Sequence, residues 1–353
     1  MHRRRFIGIT VLAVAAIMIV LPGEAWADSP ISGQICALGT AGVGQTATLV
    51  CKDVMTGATT QSVALAATVS GAGGIGGSLS RRGNTVLVAN QAGGATLLRV
   101  NAGRLGSPVA LDTGGEGSLS GTLSDRGAYV LTGTHLLFFP AGRTKSTSSR
   151  ALLKADGSAA QVTLAGGNAY VSEKSGSLEY FVLARNGNIV GAATPVSGIP
   201  AGVIVGITGA DDLVVAPVAH LASNPGQAAV PVVYGGSQVQ LVETKEVAAC
   251  WTNNDDGEVC VTNPGSMTVS CGRLGPGGFL SYTSAAANPV GDAVFDLDIR
   301  RGLVGIQSTS AGAPVMLVYS RSESNSDFLA LVNQIPLGTA SANGALLLPA
   351  LSR

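Results

Sequence analysis

Few side chains in this sequence are able to carry chemistry. Of 353 residues, 21 are basic, 21 are acidic and 3 are histidines, so charged residues make up 12% instead of the roughly 25% usual in soluble domains. Two acidic groups stand out, Asp255-Asp256-Gly257 and the pair Asp296 and Asp298. Asp-Asp-Gly is typical of a turn. Residues two apart on a strand share one face, so Asp296 is a candidate ligand-binding residue.

The remaining candidates are a tryptophan and two histidines. Trp251 stands at the start of a predicted strand, where it either packs against a neighbour or offers its flat face to a ligand. His135 and His220 have no evident partner in the sequence. The five cysteines are widely spaced and form no Cys-x-x-Cys or Cys/His cluster, so we expect no metal site and no cofactor.

Composition excludes several classes of protein. The formal net charge is zero, which argues against nucleic-acid binding, because that function needs a basic surface. A mean hydropathy of +0.38 excludes a disordered chain. The Gly-rich stretch 71–77 is not followed by Lys-Ser/Thr and a helix, so it does not indicate a phosphate-binding loop.

Residues 1–27 have the pattern of an export signal. Three arginines at 3–5 precede the uncharged apolar stretch 6–21, and Ala25-Trp26-Ala27 has the small residues of a cleavage site. We expect cleavage after Ala27, a periplasmic or extracellular location, and no integral membrane segment in the mature chain. The run Arg-Arg-Arg-Phe-Ile also resembles the twin-arginine signal, but ordinary Sec signals contain such runs, so both export routes stay open.

All five cysteines follow this signal, and export permits disulfides. Each lies in a strand-like run beside a predicted turn. Three pairings across such turns are open: Cys36–Cys51, Cys260–Cys271 and Cys250–Cys260. The last two exclude each other, and at least one cysteine must stay unpaired.

A repeat runs along the chain. Segments 78–90 and 122–133 share Leu-Ser-x-Arg-Gly, and both predict a strand, a tight turn and a second strand. Similar turns lie 39 to 46 residues apart, at positions 44, 83, 127, 167, 211, 257 and 302. A period of about 40 to 50 residues with short strands is typical of a β-propeller.

The sequence therefore predicts an all-β fold, a seven-bladed β-propeller with four antiparallel strands per blade. We expect a single domain over residues 28–353, with blade boundaries near 70, 114, 157, 203, 249 and 291. Closing the ring requires a strand from one end of the chain, near 31–38 or 345–351, to complete a blade supplied by the other end. Stacked sheets bury both faces of their inner strands, which accounts for the low charge, and the 49 glycines let strands crowd the axis.

Two segments resemble a known family. They are 79–90 with 97–100, and 249–251 with 256–263 and 265–270. They are similar to the bacterial lactonase-like propellers, also called 3-carboxymuconate cyclase-like, whose blades read roughly Leu-Ser-x-Asp-Gly-x-x-x-Tyr-Val-x-Asn and then Gly-Ser-x-Thr-Val-Ser. The resemblance spans residues 72–320.

This resemblance implies lactone hydrolysis or formation in the central opening, by histidine, arginine and acidic side chains in general acid–base roles. The sequence departs from the family where a Gly-x-His-Pro-Arg segment is expected, because residues 114–118 read Gly-Gly-Glu-Gly-Ser. We therefore expect a protein that acts mainly by binding a small molecule, or a protein partner on one rim, without intact lactonase chemistry. The alternative is a lactone hydrolase or cyclase with Glu116, Arg126 and His220 as catalytic candidates, so whether it is an enzyme stays open.

Overall fold

The computed structural model describes residues 31–40, 46–68, 77–91, 93–221, 224, 228–244, 246–275, 280–287, 293–321, 329–339 and 341–351. The expected export signal and the turn around Gly44 lie outside these residues. Residues Ser32–Arg353 form one compact unit. In the described ranges the chain contains strands and turns without helices, so no helix there is long and apolar enough to cross a membrane.

The strands form seven antiparallel sheets, the blades of a β-propeller. Blade 1 begins with β1 (Gln34–Thr40), β2 (Thr46–Asp53) and β3 (Thr59–Thr68). Blade 2 contains β4 (Gly77–Arg82), β5 (Thr85–Asn90), β6 (Gly94–Asn101), β7 (Arg104–Leu105) and β8 (Val109–Leu111). Blade 3 contains β9 (Ser118–Ser124), β10 (Gly127–Thr132), β11 (His135–Pro140) and β12 (Ser148–Ala151). Blade 4 contains β13 (Ala159–Ala165), β14 (Asn168–Glu173), β15 (Ser177–Leu183) and β16 (Ile189–Pro195).

The other blades follow in the same order along the chain. Blade 5 contains β17 (Gly202–Ile204), β18 (Thr208–Ala210), β19 (Leu213–Val215), β20 (Val218–Leu221), β21 (Ala228–Tyr234) and β22 (Ser237–Thr244). Blade 6 contains β23 (Thr252–Asp255), β24 (Glu258–Asn263), β25 (Thr268–Leu274) and β26 (Leu280–Ala287). Blade 7 contains β27 (Ala293–Arg300), β28 (Leu303–Ser310), β29 (Ala313–Arg321) and β30 (Leu329–Pro336). The last strand is β31 (Ser341–Leu348).

Two blades have interrupted strands, and both keep the four-strand plan. In blade 2 the outermost strand is split into β7 and β8, which both pair with β6. In blade 5 the first strand is split into β17 and β18, and the second into β19 and β20. The predicted fold class, seven blades of four antiparallel strands, is therefore confirmed.

The ring closes through the last strand. β31 pairs with β1 and is the innermost strand of blade 1, which makes β1 and β2 the second and third strands of that blade. This confirms the expected closure. It also shows that the turn marker at 44 differs from the other six, because it lies between a second and a third strand instead of a first and a second.

Short turns connect the first and second strands of the blades. The turn in blade 6 contains Asp256 (φ 50°) and Gly257 (φ 77°), and the turn in blade 7 contains Arg301 (φ 47°) and Gly302 (φ 76°). Two successive residues with positive φ form the type I′ turn that matches the twist of a hairpin, and Asp-Gly is among its preferred sequences. All these turns lie at the same end of the propeller, because the first strands run in the same direction.

The core lies between neighbouring blades. Between blades 3 and 4, Tyr129, Phe138 and Phe181 are at most 1% exposed, and burial of each such side chain contributes about 1.5–3 kcal/mol. The Tyr129 hydroxyl donates a hydrogen bond to the Gly187 carbonyl oxygen over 2.7 Å, so its polar group is satisfied as well. The alternating apolar residues of the sequence thus fill the contacts between stacked sheets.

Two disulfides link the second and third strands of blades 1 and 6. They join Cys36 to Cys51 and Cys260 to Cys271, and in both cases the residues are directly opposite in the strand pairing. Both expected pairs are confirmed, and the alternative pairing of Cys250 with Cys260 does not form. Cys250 is a free thiol, and burial raises its pKa to about 12.

Candidate functional site

The first strands of all seven blades surround a central opening. At the end where the first-to-second-strand turns lie, the opening widens into a cavity of about 530 Å³, which we call the wide end. Four arginines and two aspartates line the wide end: Arg81, Arg82, Arg300, Arg301, Asp255 and Asp298. Basic side chains therefore predominate at the wide end.

Arg81 on β4 is the most distinctive residue of the wide end. It is half-buried, its Nε donates to the Gly83 carbonyl oxygen over 2.9 Å, and its Nη1 is buried with no hydrogen-bond partner in the described residues. Burial, followed by repulsion from Arg300, lowers the pKa of Arg81 to about 10. The guanidinium remains charged at neutral pH, so it offers an unused donor to an anion in the opening.

Asp298 on β27 is the carboxyl group of the wide end. Its Oδ1 accepts a hydrogen bond from Asn253 Nδ2 over 2.8 Å, and its Oδ2 accepts one from the Leu347 backbone N–H over 2.7 Å. Although part of the side chain is exposed to the opening, burial raises its pKa to about 7, and the backbone hydrogen bond and Arg300 oppose that shift. At neutral pH this carboxyl exchanges readily between its protonated and ionised forms, as a general base requires.

Amides and hydroxyls complete the wall. Asn254 Nδ2 donates to Thr208 Oγ1 over 2.7 Å, and Thr163 Oγ1 accepts from the Gly209 N–H over 2.8 Å. Arg301 N–H donates to Asp255 Oδ2 over 2.7 Å. Each of these bonds joins neighbouring blades, so the polar side chains are held in place before any ligand arrives.

The opposite end of the opening is narrow. Its cavity is only about 30 Å³, room for about two water molecules, and it is lined by Trp251, Asp296 and Lys174 among others. Ser78 and Gln161 line both cavities and therefore mark the constriction between them. The narrow cavity is lined by one acidic and one basic side chain.

The two ligand-binding candidates from the sequence both lie at this narrow end. Trp251 makes an edge-to-face contact with Phe295, with ring centroids 6.1 Å apart. Asp296 Oδ1 accepts a hydrogen bond from the Leu297 N–H over 2.9 Å. Burial, with a smaller effect from Asp298, raises the pKa of Asp296 to about 7. The cavity beside them is far smaller than the about 300–1,000 Å³ typical of small-molecule sites.

The three catalytic candidates from the sequence are separated. Glu116 is exposed before β9, where both its carboxylate oxygens accept from Thr134 Oγ1 and its Oε1 lies 3.9 Å from His135 Nδ1. Arg126 is exposed in the turn after β9, at the other end of a seven-residue strand that spans roughly 20 Å. His220 is exposed on β20 of blade 5. The partner of Glu116 is thus a histidine that seemed unpaired in the sequence.

Sequence reasoning missed Arg81 because of a shift in turn position. The shared Leu-Ser-x-Arg-Gly pattern aligns Arg81 with Asp125, which lies in a turn. In the structure β4 continues to Arg82 and the turn consists of Gly83 and Asn84, so Arg81 is a strand residue that faces the opening. The sequence did contain a signal for another contact of the site. Asn253 and Asp298 lie 45 residues apart, which is one repeat length, so the repeat places them at equivalent positions of neighbouring blades.

Comparison with known proteins identifies the fold. No family model matches the sequence, and no curated protein is similar enough to match it. Among solved structures, the periplasmic gluconolactonase PpgL of Pseudomonas aeruginosa is similar at 14% identity and a TM-score of 0.66, covering 91% of this chain and 99% of that one. A putative 6-phosphogluconolactonase of Bacteroides fragilis is similar at 13% identity and a TM-score of 0.61, covering 91% and 99%. A functionally unknown protein of Desulfotomaculum acetoxidans is similar at 12% identity and a TM-score of 0.66, covering 91% and 100%.

The chain thus has the fold of the lactonase-like seven-bladed propellers, as its sequence repeats indicated. Identities of 12% to 14% establish a shared fold and not a shared activity. Function has to be argued from the side chains of the opening. In the described residues, no three His, Cys, Asp or Glu side chains are grouped so that they could hold a metal ion.

Proposed function

We propose that this protein is an exported binding protein that holds a small hydroxylated carboxylate, such as an aldonate, in the wide end of the central opening. The observation that carries the proposal is the buried Nη1 of Arg81, which has no hydrogen-bond partner in the described residues. Leaving a buried charged donor unpaired costs free energy. A ligand carboxylate whose oxygens accept hydrogen bonds from this guanidinium would remove that cost.

The rest of the wall suits the remainder of such a ligand. Asn254, Asn253 and Thr163 line the same cavity, and amide and hydroxyl groups are the natural partners of sugar hydroxyls. A cavity of about 530 Å³ is within the range of about 300–1,000 Å³ typical of small-molecule sites. The gluconolactonase among the similar structures supports the choice of gluconate as the first probe.

Export is part of the proposal. It is supported by the basic, apolar and small-residue pattern of residues 1–27 and by two disulfides, which form in oxidising compartments. In this view a signal peptide is removed after Ala27, and the propeller acts in the periplasm or outside the cell.

The test is a titration calorimetry experiment with D-gluconate and with D-glucitol, which has the same hydroxylated chain but lacks the carboxylate. We expect gluconate to bind and glucitol not to bind. Arg81→Gln should weaken gluconate binding about 10- to 100-fold, as expected for the loss of a charge-assisted hydrogen bond. Lys174→Gln, at the narrow end, is the matched control and should bind gluconate like the wild type. Equal binding of both probes, or an unaffected Arg81→Gln variant, would contradict the proposal.

A second candidate function, lactone hydrolysis in the same cavity, is favoured by one specific observation. Asp298 has a pKa of about 7 and lies in the electrostatic field of Arg81 and Arg300. An ionised Asp298 would take a proton from water as the water oxygen attacks the lactone carbonyl carbon, and Arg81 would hold the oxyanion formed there. Collapse of this oxyanion would break the ring C–O bond, and Asp298 would return the proton to the leaving alkoxide, which gives the open hydroxy acid.

This second candidate is tested with gluconolactone as the substrate. Hydrolysis above the spontaneous rate should rise with pH through about 7 and disappear in Asp298→Asn, whereas Glu116→Ala should retain it. Loss of turnover in Glu116→Ala or His220→Ala, with turnover kept in Asp298→Asn, would instead assign catalysis to the candidates from the sequence. If the wild type binds gluconate but does not hydrolyse gluconolactone, the second candidate function is rejected and the binding function is retained.

A further inference from the structure

A second large cavity lies between blades 2 and 3, outside the central opening. It measures about 520 Å³, and we call it the inter-blade cleft. It exists because the outermost strand of blade 2 is interrupted between β7 and β8, where Gly106 N–H bonds back to the Arg99 carbonyl oxygen over 2.7 Å. On the facing side, the segment after β11 crosses towards blade 2, and the Asp112 N–H donates to the Thr144 carbonyl oxygen over 2.8 Å.

The floor of the inter-blade cleft is apolar. Leu123, Ala128 and Phe139 are at most 8% exposed and belong to the core between blades 2 and 3. Val109 on the outer edge of blade 2 is 47% exposed, so the cleft also presents an apolar wall to solvent. A binding partner with an apolar body would cover this surface.

The rim of the inter-blade cleft is basic. Arg82, Arg99 and Arg143 line it, and Asp125 is its one acidic lining residue. Arg82 uses Nε and Nη2 to bond both oxygens of Asp125, at 2.7 and 3.0 Å. In the described part of the chain neither Arg99 nor Arg143 forms an ion pair, and Arg99 bonds only the neutral hydroxyl of Thr85, over 3.2 Å.

A shared wall separates this cleft from the wide end of the opening. Arg82, Gly83 and Leu123 line both cavities, so each site has its own volume on either side of them. A ligand in the inter-blade cleft would therefore not occupy the position beside Arg81.

We propose that the inter-blade cleft binds a small amphipathic anion, with an aromatic or aliphatic body on the Leu123–Phe139 floor and a carboxylate or sulfonate between Arg99 and Arg143. The charge of the rim decides between this occupant and a neutral apolar one, because two arginines there have no carboxylate partner in the described chain. The proposal does not depend on which ligand, if any, the central opening holds.

The experiment uses two fluorescent probes of the same shape, anilinonaphthalene sulfonate and the neutral N-phenylnaphthylamine, with the mature protein. We expect one sulfonate probe to bind per chain and the neutral probe to bind more weakly. The double variant Arg99→Glu/Arg143→Glu should weaken sulfonate binding about tenfold, since exposed charge pairs contribute modestly each. Arg104→Glu, an exposed arginine of the same blade outside the cleft, should bind like the wild type.

Each other outcome overturns the proposal. Equal binding of both probes, or equal weakening by Arg104→Glu, would show that the rim arginines do not select the anion. Loss of binding in Arg81→Gln would place the probe in the central opening. Dimers of the wild type that Arg143→Glu separates would show that a second copy covers the cleft. Circular dichroism melting of every variant checks that the exposed substitutions leave the fold intact.

Discussion

The two ends of the central opening are built from the same seven strands and yet differ in size and charge. The wide end has a volume of about 530 Å³ and is lined by four arginines and two aspartates, whereas the narrow end has a volume of about 30 Å³ and is lined by one lysine, Lys174, and one aspartate, Asp296. Residues on one strand serve both ends, because Asp296 and Asp298 lie two positions apart on β27. A shift of two residues along an inner strand thus changes the environment of a carboxyl group from a closed pocket to an open site.

The hydrogen bonds of the two aspartates explain what each end does for the fold. Asp298 receives bonds from the blades on both of its sides, through Asn253 and Leu347. Asp296 accepts bonds from the backbone N–H of the adjacent Leu297 and from that of Ala345 on β31, so it is linked to one neighbouring blade. Both aspartates are therefore linked to β31 of blade 1, and Asp298 is linked to blade 6 as well.

The largest expected effect in this comparison is on stability. Asp298→Ala should be less stable than Asp296→Ala by about 2 kcal/mol, because both variants lose a bond to a backbone N–H of β31 but only Asp298→Ala also leaves the Asn253 amide without its acceptor. Burial raises the pKa of both carboxyls to about 7, so removing either one relieves a similar cost of ionising a buried group, and this contribution cancels between the two variants. Urea unfolding of both variants at one pH measures the difference, and equal stabilities would show that the bond from Asn253 contributes little.

A smaller effect should appear in the pH dependence of stability. Asp296 has a pKa of about 7 in the folded protein and about 3.9 in an unfolded chain, so the unfolded state releases the proton first. Its contribution to stability therefore falls as the pH rises from about 4 to about 7 and stays lost above that. Asp296→Asn keeps one acceptor oxygen for the backbone N–H groups of Leu297 and Ala345 and removes the cost of ionisation, so it should be more stable than the wild type by about 1–2 kcal/mol at pH 8.

The matched control for this pH experiment is Asp298→Asn. An amide has one acceptor oxygen, so it is unable to serve both the Asn253 amide and the Leu347 N–H. We expect it to be less stable than Asp296→Asn at every pH in thermal melts from pH 4 to 8. An Asp296→Asn curve that stays parallel to the wild type would show that Asp296 ionises as easily in the folded protein as in the unfolded one.

The smallest effect is expected at the rim of the wide end. Arg82 and Asp125 form an ion pair whose side chains are 54% and 80% exposed. Water and salt screen such a pair, so Asp125→Asn should leave the free energy of unfolding unchanged within error in urea titrations at physiological salt. A loss of stability similar to that of Asp298→Ala would mean that the rim, and not the inner wall, holds the wide end together.

Repeats made the fold predictable, and strand register limited the prediction of the site. The repeat length, the Asp-Gly turns and the two cysteine pairs across hairpins depend on local sequence, which a single chain displays directly. Arg81 was not predicted as a site residue because the Leu-Ser-x-Arg-Gly pattern aligns it with the turn residue Asp125. In blade 2 the first strand continues to Arg82, so its turn begins two residues later in the pattern than the turn of blade 3. Sequence alone does not fix where a hairpin turns when both positions are polar.

The shortage of charge led to an expectation that the opening would hold little chemistry. The structure differs, because the few arginines and aspartates of the first strands meet at one end of one cavity. Pairs such as Asn253 with Asp298, or Thr163 with Gly209, are 45 and 46 residues apart and become neighbours only when the blades form a ring. Their separation equals the repeat length, so the same period that gives the fold could have indicated these contacts.

Ring closure also sets the order in which the protein is assembled. Leu346 of β31 lines the wide end, and Gln34 Nε2 bonds the Pro349 carbonyl oxygen across a sequence separation of 315 residues. The cavity therefore remains incomplete during synthesis until the ribosome has produced the segment that contains β31. Contacts this distant in sequence form slowly, so the wide end of the opening should be the last part of the molecule to mature.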